Sequence, residues 1–409
     1  MKVLFLGCLF NQKEEKYLMQ KSKIGLQGAT NTYQWNIIKG LDKILDRPVD
    51  ILNVLPVGTF PKYFNDLRLK TKKWSHSPNA HDLEIGSMNV VFLKQIKRTI
   101  SCKMAIKKWL KDNHDHDKNI IIYSTYLPFL QVITKISDEV NITLIVTDIP
   151  EYYDLATSNS RIKKLLRLIN NRFIYQSLKR IDNFVILTEQ MKEPLSIGQR
   201  PYIVIEGLVD SDNIVTYNNE PTKVNKKIIL YTGTLNFKFG IMDLINGFSV
   251  IDKTQYELWI CGSGEAEKEI INRAKSNSKI KYLGYVAKKE IYDLQQKATV
   301  LINPRTNYGE YTKYSFPSKT MEYMLSGRPV LMYKLDGIPD EYDPYLYYIN
   351  DNQPKNFANR IMEICEKPQN ELDDFGEMAR QFVLEKKNCM VQAKKIIDMI
   401  NESKSKKDK

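Results

Sequence analysis

Lys319 and Glu322 stand one helical turn apart in the stretch Tyr314-Ser315-Phe316-Pro317-Ser318-Lys319-Thr320-Met321-Glu322, which reads as a loop entering a helix. Ser315 suits a cap and Pro317 a first turn. Gly327 and Pro329 end the helix before the apolar strand from Val330 to Tyr333. Lys319 falls in the first turn, where the macrodipole is already positive and free N–H groups point outward. A cation there is unfavourable unless an anion joins it, and a phosphate would use both the amides and the ammonium. Glu322 can accept two hydrogen bonds from a ribose diol. The competing reading is a surface helix with a solvated Lys–Glu pair.

The segments around this helix have to place it at a sheet edge. From Lys227 the chain alternates apolar runs with helix-like stretches: strands at Ile228–Tyr231, Glu257–Cys261, Ile280–Leu283 and Thr299–Asn303, and helices at Ile241–Val250, Glu265–Lys275 and Glu290–Lys297. That alternation predicts a parallel α/β sheet, whose ligands bind at the carboxyl ends of its strands. Those ends are Thr232–Asn236, Gly262–Gly264, Gly284–Val286 and Pro304–Lys319, and they offer Lys238, Arg305, Lys313 and Lys319 to a phosphate. Each charged hydrogen bond of this kind contributes roughly 1.5–3 kcal/mol.

Other chemistries lack their residues. Gly262-Ser263-Gly264 follows a strand, but Glu267 stands where a dinucleotide fingerprint needs its third glycine. There is no P-loop ending in Gly-Lys-Ser/Thr, no zinc-ligand spacing and no Gly-x-Ser-x-Gly elbow. The five cysteines are scattered, which suits reduced thiols in a cytosolic setting. A length of 409 residues, with 43% hydrophobic and 27% charged content, predicts two soluble globular domains. The apolar opening from Met1 to Phe10 reads as a first buried strand rather than a signal peptide, and no apolar run is long enough to span a bilayer. A net charge of +13 points to an acidic partner: nucleotide, nucleic acid or anionic lipid. The basic residues lack interleaved surface aromatics or a nucleic-acid module, so no nucleic-acid partner is expected.

The first half repeats the α/β alternation. A strand at Val3–Gly7 leads through Gly28 into a helix over about Asn31–Leu45, and Val49–Leu55 is the next strand. Residues 56–86 are irregular and read as a binding loop or a surface loop, with His76 and His81 as possible acceptor-site groups. A helix follows over Met88–Lys111. Strands at Asn119–Tyr123, Thr143–Thr147, Phe184–Leu187 and Tyr202–Ile205 flank a helix at Pro128–Val140. Residues 94–111 and 161–180 are rich in Lys and Arg. In the second, Leu165, Ile169 and Phe173 recur at helical spacing, so one face is apolar and the other cationic. Such segments suit an anionic membrane surface, and equally a core-facing helix with a solvated basic side. A linker over Asp210–Asn225 divides an N-terminal domain of 1–207 from a C-terminal one of 208–387. Helices at Asn356–Glu366, Leu372–Lys386 and Met390–Ile400 end the chain, with a disordered Lys-rich tail over 402–409.

The second half resembles the family 4 retaining glycosyltransferases, which have the GT-B fold. The resemblance rests on Tyr231-Thr232-Gly233-Thr234-Leu235, Gly240-Ile241, Gly247-Phe248, Leu258 through Gly262-Ser263-Gly264, Tyr282-Leu283-Gly284-Tyr285-Val286, and Phe316-Pro317-Ser318-Lys319 through Glu322 to Gly327-Arg328-Pro329-Val330. Asn31-Thr32-Tyr33-Gln34-Trp35, Thr147-Asp148-Ile149-Pro150 and Thr188-Glu189-Gln190-Met191 extend it more loosely into the first half, and look like the branch that builds capsule, exopolysaccharide or O-antigen. It implies two Rossmann-like doubly wound domains facing a central cleft, with a last helix (about 388–401) crossing back to the first domain. It also implies a nucleotide-diphosphate sugar on the C-terminal domain, a lipid-linked or saccharide acceptor on the N-terminal one, and neither metal nor cofactor. The donor-binding set becomes Gly233, Thr234, Lys238, Gly262, Gly264, Tyr285, Arg305, Lys313, Ser315, Ser318, Lys319, Thr320 and Glu322. The acceptor side takes Gly28, Asn31, Tyr126 and Asp148, and catalysis is assigned to Asp148 and Lys319. The expected place is cytoplasmic, peripheral at the inner face of the membrane.

The chain departs from the family at three points. Tyr314 stands where the family often has a first glutamate, Thr234 where many members carry an arginine, and Phe239 where a lysine commonly precedes the glycine. Two other functions therefore stay open: a sugar-nucleotide epimerase of the same fold, and an inactive membrane-surface protein that keeps it.

Overall fold

The computed structural model describes residues 1–136, 140–152, 161–213 and 226–407. They form two compact units, Met1–Leu208 with Cys389–Lys409, and Val209–Asn388. Residues 214–225, most of the linker expected from the sequence, lie outside the described set.

In the first unit β1 (Lys2–Gly7), α1 (Gln12–Lys21), α2 (Gly28–Ile44) and β2 (Asp50–Asn53) come first. Short strands β3 (Arg68–Leu69), β4 (Lys72–Trp74), β5 (Asp82–Glu84) and β6 (Ser87–Met88) follow. Then come α3 (Leu93–Asp112), β7 (Lys118–Tyr123), α4 (Leu127–Ile133), β8 (Asn141–Val146), α5 (Arg161–Leu178), β9 (Asn183–Ile186) and β10 (Tyr202–Val204). The main sheet runs β10-β9-β8-β7-β1-β2-β5-β4, parallel except for β4 at the edge. Its central strands are apolar on both faces because helices cover both, as Val3–Leu6 and Ile120–Ile122 show by their complete burial.

The second unit contains β11 (Lys227–Thr232), α6 (Ile241–Ser249), β12 (Tyr256–Cys261), α7 (Glu267–Ser276), β13 (Ile280–Gly284), α8 (Lys288–Lys297), β14 (Val300–Asn303), α9 (Ser318–Leu325), β15 (Val330–Tyr333), β16 (Tyr347–Ile349), α10 (Pro354–Cys365) and α11 (Gln369–Lys386). Its sheet order is β13-β12-β11-β14-β15-β16, all parallel. That is the doubly wound order, whose direction reverses between β11 and β14. The first sheet reverses in the same way between β1 and β7. In such sheets the crevice for a ligand opens outside the strand ends at the reversal.

The structure corrects several expectations. Helix α1 was not anticipated; Asn11 caps it by accepting from Lys13 N at 2.9 Å. The stretch 56–86 is not wholly irregular, since β4 and β5 extend the main sheet. The final helix α12 (Cys389–Lys407) continues through residues expected to be disordered. Cys389, Ala393, Ile396, Ile400 and Ser403 share its buried face, and the Lys404 ammonium pairs with Asp117, so the tail is held by packing and an ion pair.

Candidate functional site

The second unit gathers its chemistry where β11 and β14 end. Gly262 (φ 140°) allows the loops after β11 and β12 to touch: a Cβ there would lie 1.8 Å from Gly233 O. Gly233 N donates to Cys261 O at 3.0 Å and Leu235 N to Ser263 O at 3.0 Å, so the two loops are zipped together. Gly264 lies against Leu235 O in the same zipper. Gly240 (φ 74°) brings the β11 loop onto the β14 loop, where a Cβ would meet Pro304 O at 2.0 Å. These glycines build the crevice with backbone, leaving amides and carbonyls as its walls.

Helix α9 is tied to the same point by a side chain that sequence reasoning missed. The buried Tyr323 hydroxyl accepts from Thr232 N at 2.8 Å and donates to Thr232 O at 3.0 Å. Burial raises its phenol pKa far above the ordinary range, so it stays a neutral donor and acceptor. Tyr323 reads in sequence as one more apolar core position; only its hydroxyl, needing a buried partner, hints at the anchor. Lys319 and Ser318 are thereby presented beside the Gly233 and Gly262 loops. The Cys261 thiol, pushed up to about 11 by burial, is drawn partly back by the nearby Lys319 charge.

Lys319 Nζ contacts Glu322 at 3.0 and 2.8 Å, and Gln295 Nε2, fully buried on α8, donates to the same carboxylate at 2.9 Å. Both members of the pair are half-exposed, and pairs of this exposure contribute about 0–1 kcal/mol. A phosphate can therefore take Lys319 at small cost, while Gln295 keeps Glu322 aimed. Arg305 lies between the rings of Phe239 and Tyr311, 5.5 Å from each centroid, and donates to Ser315 Oγ at 2.9 Å. Phe239, the residue in place of the family lysine, is thus a platform for a different cation.

Other predicted donor residues fall differently. Ser315 does not cap α9, whose N-cap is Pro317; its hydroxyl holds Arg305 and donates to Thr312 O instead. Thr320 is turned into the core: it is fully buried, its hydroxyl lies on Met332 Sδ at 3.6 Å, and its N–H bonds Pro317 O. Lys313 lies over the Tyr314 ring and reaches Glu310 at 3.4 Å. Thr234, Lys238 and Tyr285 are exposed on their loops. Thr234 O accepts from the Tyr231 hydroxyl, and Lys238 N–H bonds Asn236.

In the first unit Gly28 opens α2 and is exposed, whereas Asn31 is buried and its Oδ1 accepts from Phe10 N at 2.8 Å. Asn31 therefore ties a loop down rather than facing a ligand. Asp148 is exposed just after β8 and accepts from Thr147 Oγ1 at 3.1 Å, itself 3.3 Å from the Tyr123 hydroxyl. The two residues assigned to catalysis, Asp148 and Lys319, belong to different units. His76 is a structural ion-pair centre: Nδ1 meets Asp82 at 2.7 Å and Nε2 meets Asp42 at 2.9 Å. Burial opposes its charge, but the two carboxylates raise the imidazole to about 9.

Helix α3 fits neither expectation in full, since two of its basic residues face the core. Lys94 and Arg98 share its inner face with Cys102 and Ile106 and are only 6% and 3% exposed. Lys94 Nζ donates to Val57 O at 2.5 Å; Arg98 donates to Leu55 O at 2.9 Å and to the Tyr126 hydroxyl at 3.1 Å. Burial, then the Arg98 charge, pushes Lys94 down to about 7. Burial pushes the Tyr126 phenol up to about 12. The outer face instead carries Phe92, Ile96, Ile100 and Met104, all exposed. On α5, Leu165, Leu168 and Ile169 are also exposed. Among the described residues no helix is long and apolar enough to cross a membrane, and no cluster of three His, Cys, Asp or Glu side chains could hold a metal ion.

Solved structures identify the fold. The chain is similar to the sucrose-phosphate synthase of Thermosynechococcus elongatus, with a TM-score of 0.68 at 14% identity over 98% of this chain and 99% of that one. Anabaena HepE, solved in complex with UDP, gives 0.64 at 14% identity over 98% and 100%. The lipopolysaccharide outer core galactosyltransferase WaaB gives 0.62 at 14% over 98% and 99%. These likenesses show a GT-B fold, two Rossmann-like α/β domains. Residues 216–382, most of the second unit, match the model of the Glycosyl transferases group 1 family. No curated protein sequence gives a significant match.

Proposed function

We propose that this chain is a retaining glycosyltransferase of family 4 type that moves a sugar from a nucleotide diphosphate to a lipid-linked or saccharide acceptor in cell-surface polysaccharide synthesis. The observation that carries this reading is the convergence, at the reversal point of the second sheet, of the Gly233 and Gly262 loops, the α9 amides, Lys319 and Arg305. Amides and cations at one point suit a diphosphate, and they stabilise the charge that develops on it as the sugar leaves. Glu322, aimed by Gln295, takes the ribose hydroxyls. No metal or other cofactor has a part in this scheme. The acceptor belongs to the first unit, with Asp148 at its strand ends.

An inner-membrane surface on the cytoplasmic side is the proposed place of work. Ile96, Ile100 and Met104 stand exposed on α3 next to Lys97, Lys103 and Lys107, which suits anionic lipid. Cosedimentation with phosphatidylglycerol vesicles, but not with phosphatidylcholine vesicles, is expected, and Ile96→Asp with Ile100→Asp is expected to abolish it.

Incubation with a panel of sugar nucleotides and a lipid-linked acceptor tests the activity. Sugar transfer supports the reading. Conversion of the donor without acceptor points to an epimerase, and absence of any donor binding points to an inactive surface protein.

A further inference from the structure

The first unit holds two cations where a core would normally hold apolar side chains. Positions 94, 98, 102 and 106 form one i,i+4 ladder on the inner face of α3, occupied by Lys, Arg, Cys and Ile. The outer ladder at 96, 100 and 104 is apolar and exposed. A helix placed only for packing would turn the other way. Buried charges are costly unless paired, yet neither Lys94 nor Arg98 forms an ion pair with a described carboxylate. Their partners are the carbonyls of Val57 and Leu55 and the Tyr126 hydroxyl. Arg98 Nε is buried with no hydrogen-bond partner among the described residues. Glu84 is close enough to feel the Arg98 charge, but its carboxylate is engaged by Asn53 at 3.1 Å and Lys72 at 3.9 Å. The positive end of α3 adds to the local potential rather than relieving it.

The location is the reversal point of the first sheet. Leu55 and Val57 follow β2, Cys8 follows β1 and Tyr126 follows β7, and Cys8, Val57 and Tyr126 remain half-exposed there. We propose that Lys94, Arg98 and Tyr126 bind a phosphoryl group carried by the acceptor; the identification of the ligand as acceptor rests on the transferase reading above. A phosphoryl oxygen would take the Lys94 ammonium and the Arg98 guanidinium together, as charge-assisted hydrogen bonds. The shared chemistry is the phosphoryl group, whether borne by a lipid diphosphate or by a sugar phosphate.

The test is a pyrophosphate titration of full-length Lys319→Ala protein at constant ionic strength, followed by melting temperature and by phosphorus NMR line width. The Lys319 substitution weakens the second unit's own diphosphate point by removing one of its two cations, Lys319 and Arg305. A saturable rise in melting temperature is expected, with at least tenfold weaker affinity when Lys94→Met or Arg98→Met is added. Wild-type protein carrying Lys94→Met alone is expected to keep its response to nucleoside diphosphates. No saturable response in Lys319→Ala protein overturns the site without needing either further variant to fold, and so does unchanged pyrophosphate affinity in Lys94→Met. Failure of nucleoside diphosphates to bind wild-type protein counts against the transferase reading instead. Competition by geranyl diphosphate or by a hexose 6-phosphate identifies the source of the phosphoryl group, and competition by neither overturns its assignment to an acceptor.

Discussion

At the reversal point of the second sheet the cations are half-exposed and already engaged: Lys319 by Glu322, Arg305 by two rings and Ser315. At the reversal point of the first sheet Lys94 and Arg98 are buried and, among the described residues, held by carbonyls and a phenol. The same topology therefore presents positive charge in two ways. Exposed, weakly paired cations release their partners easily and suit a ligand that comes and goes with each turnover. Buried cations keep a standing electrostatic cost that an anion of fixed geometry can remove. The second site is walled by backbone brought together at Gly240 and Gly262.

The largest effect that can break this comparison is expected from Gly262→Ala. Its Cβ cannot coexist with Gly233 O at 1.8 Å, so the zipped loops must part. A loss of about 1–3 kcal/mol, typical of overpacking, is expected in denaturant titration, together with loss of nucleotide binding. Retention of both would show that the backbone walls are dispensable. Next is Lys319→Ala, expected to weaken nucleoside diphosphate binding by roughly 10–100-fold, which is the worth of one charged hydrogen bond. An unaltered salt-dependent binding curve would contradict its role.

Glu322→Ala sharpens the same point with a smaller change. It removes the ribose acceptor but also frees Lys319. Nucleoside diphosphate affinity is expected to fall while pyrophosphate affinity holds or rises, and a parallel fall in both would refute the division of labour. His76 gives the smallest effect, confined to the first unit. Its folded value of about 9 exceeds the unfolded value of 6.5, so its stabilisation is complete below pH 6.5 and is lost as pH rises through 9. The destabilisation caused by His76→Gln should shrink over that window in pH-dependent melting. A constant difference would mean that Asp42 and Asp82 do not hold an imidazolium.

Much of this arrangement was legible in the residues. Runs such as Ile228–Tyr231 and Ile120–Ile122, rich in β-branched residues, read as buried strands, and the glycines after β11 and β12 mark where backbones touch. The GT-B architecture was expected from the family resemblance that those blocks carry, in order. What was not legible depends on direction and tertiary contact. The Lys/Arg-rich composition of α3 does not say that Lys94 and Arg98 face inward, because the apolar residues Ile96 and Ile100, which would normally mark the core side, face out. Ser315 looks like a cap, but Arg305, ten residues away, claims its hydroxyl. Thr320 sits between two site residues in sequence and is rotated into the core by the helical period. Tyr323 and Gln295 position the site through partners 91 and 27 residues distant, a range at which no local pattern operates. The ordered end of α12 likewise depends on contacts with the first unit, which outweigh its Lys-rich composition.

The central claim is that the second unit holds a nucleoside diphosphate at its sheet reversal. Hydrogen exchange of the full chain, with and without a saturating nucleoside diphosphate chosen from a panel, tests it most directly. Protection is predicted in Gly233–Gly240, Gly262–Ala266 and Ser318–Glu322, and not in α10 or α11. Protection confined to other segments, or none with any nucleotide, would contradict it.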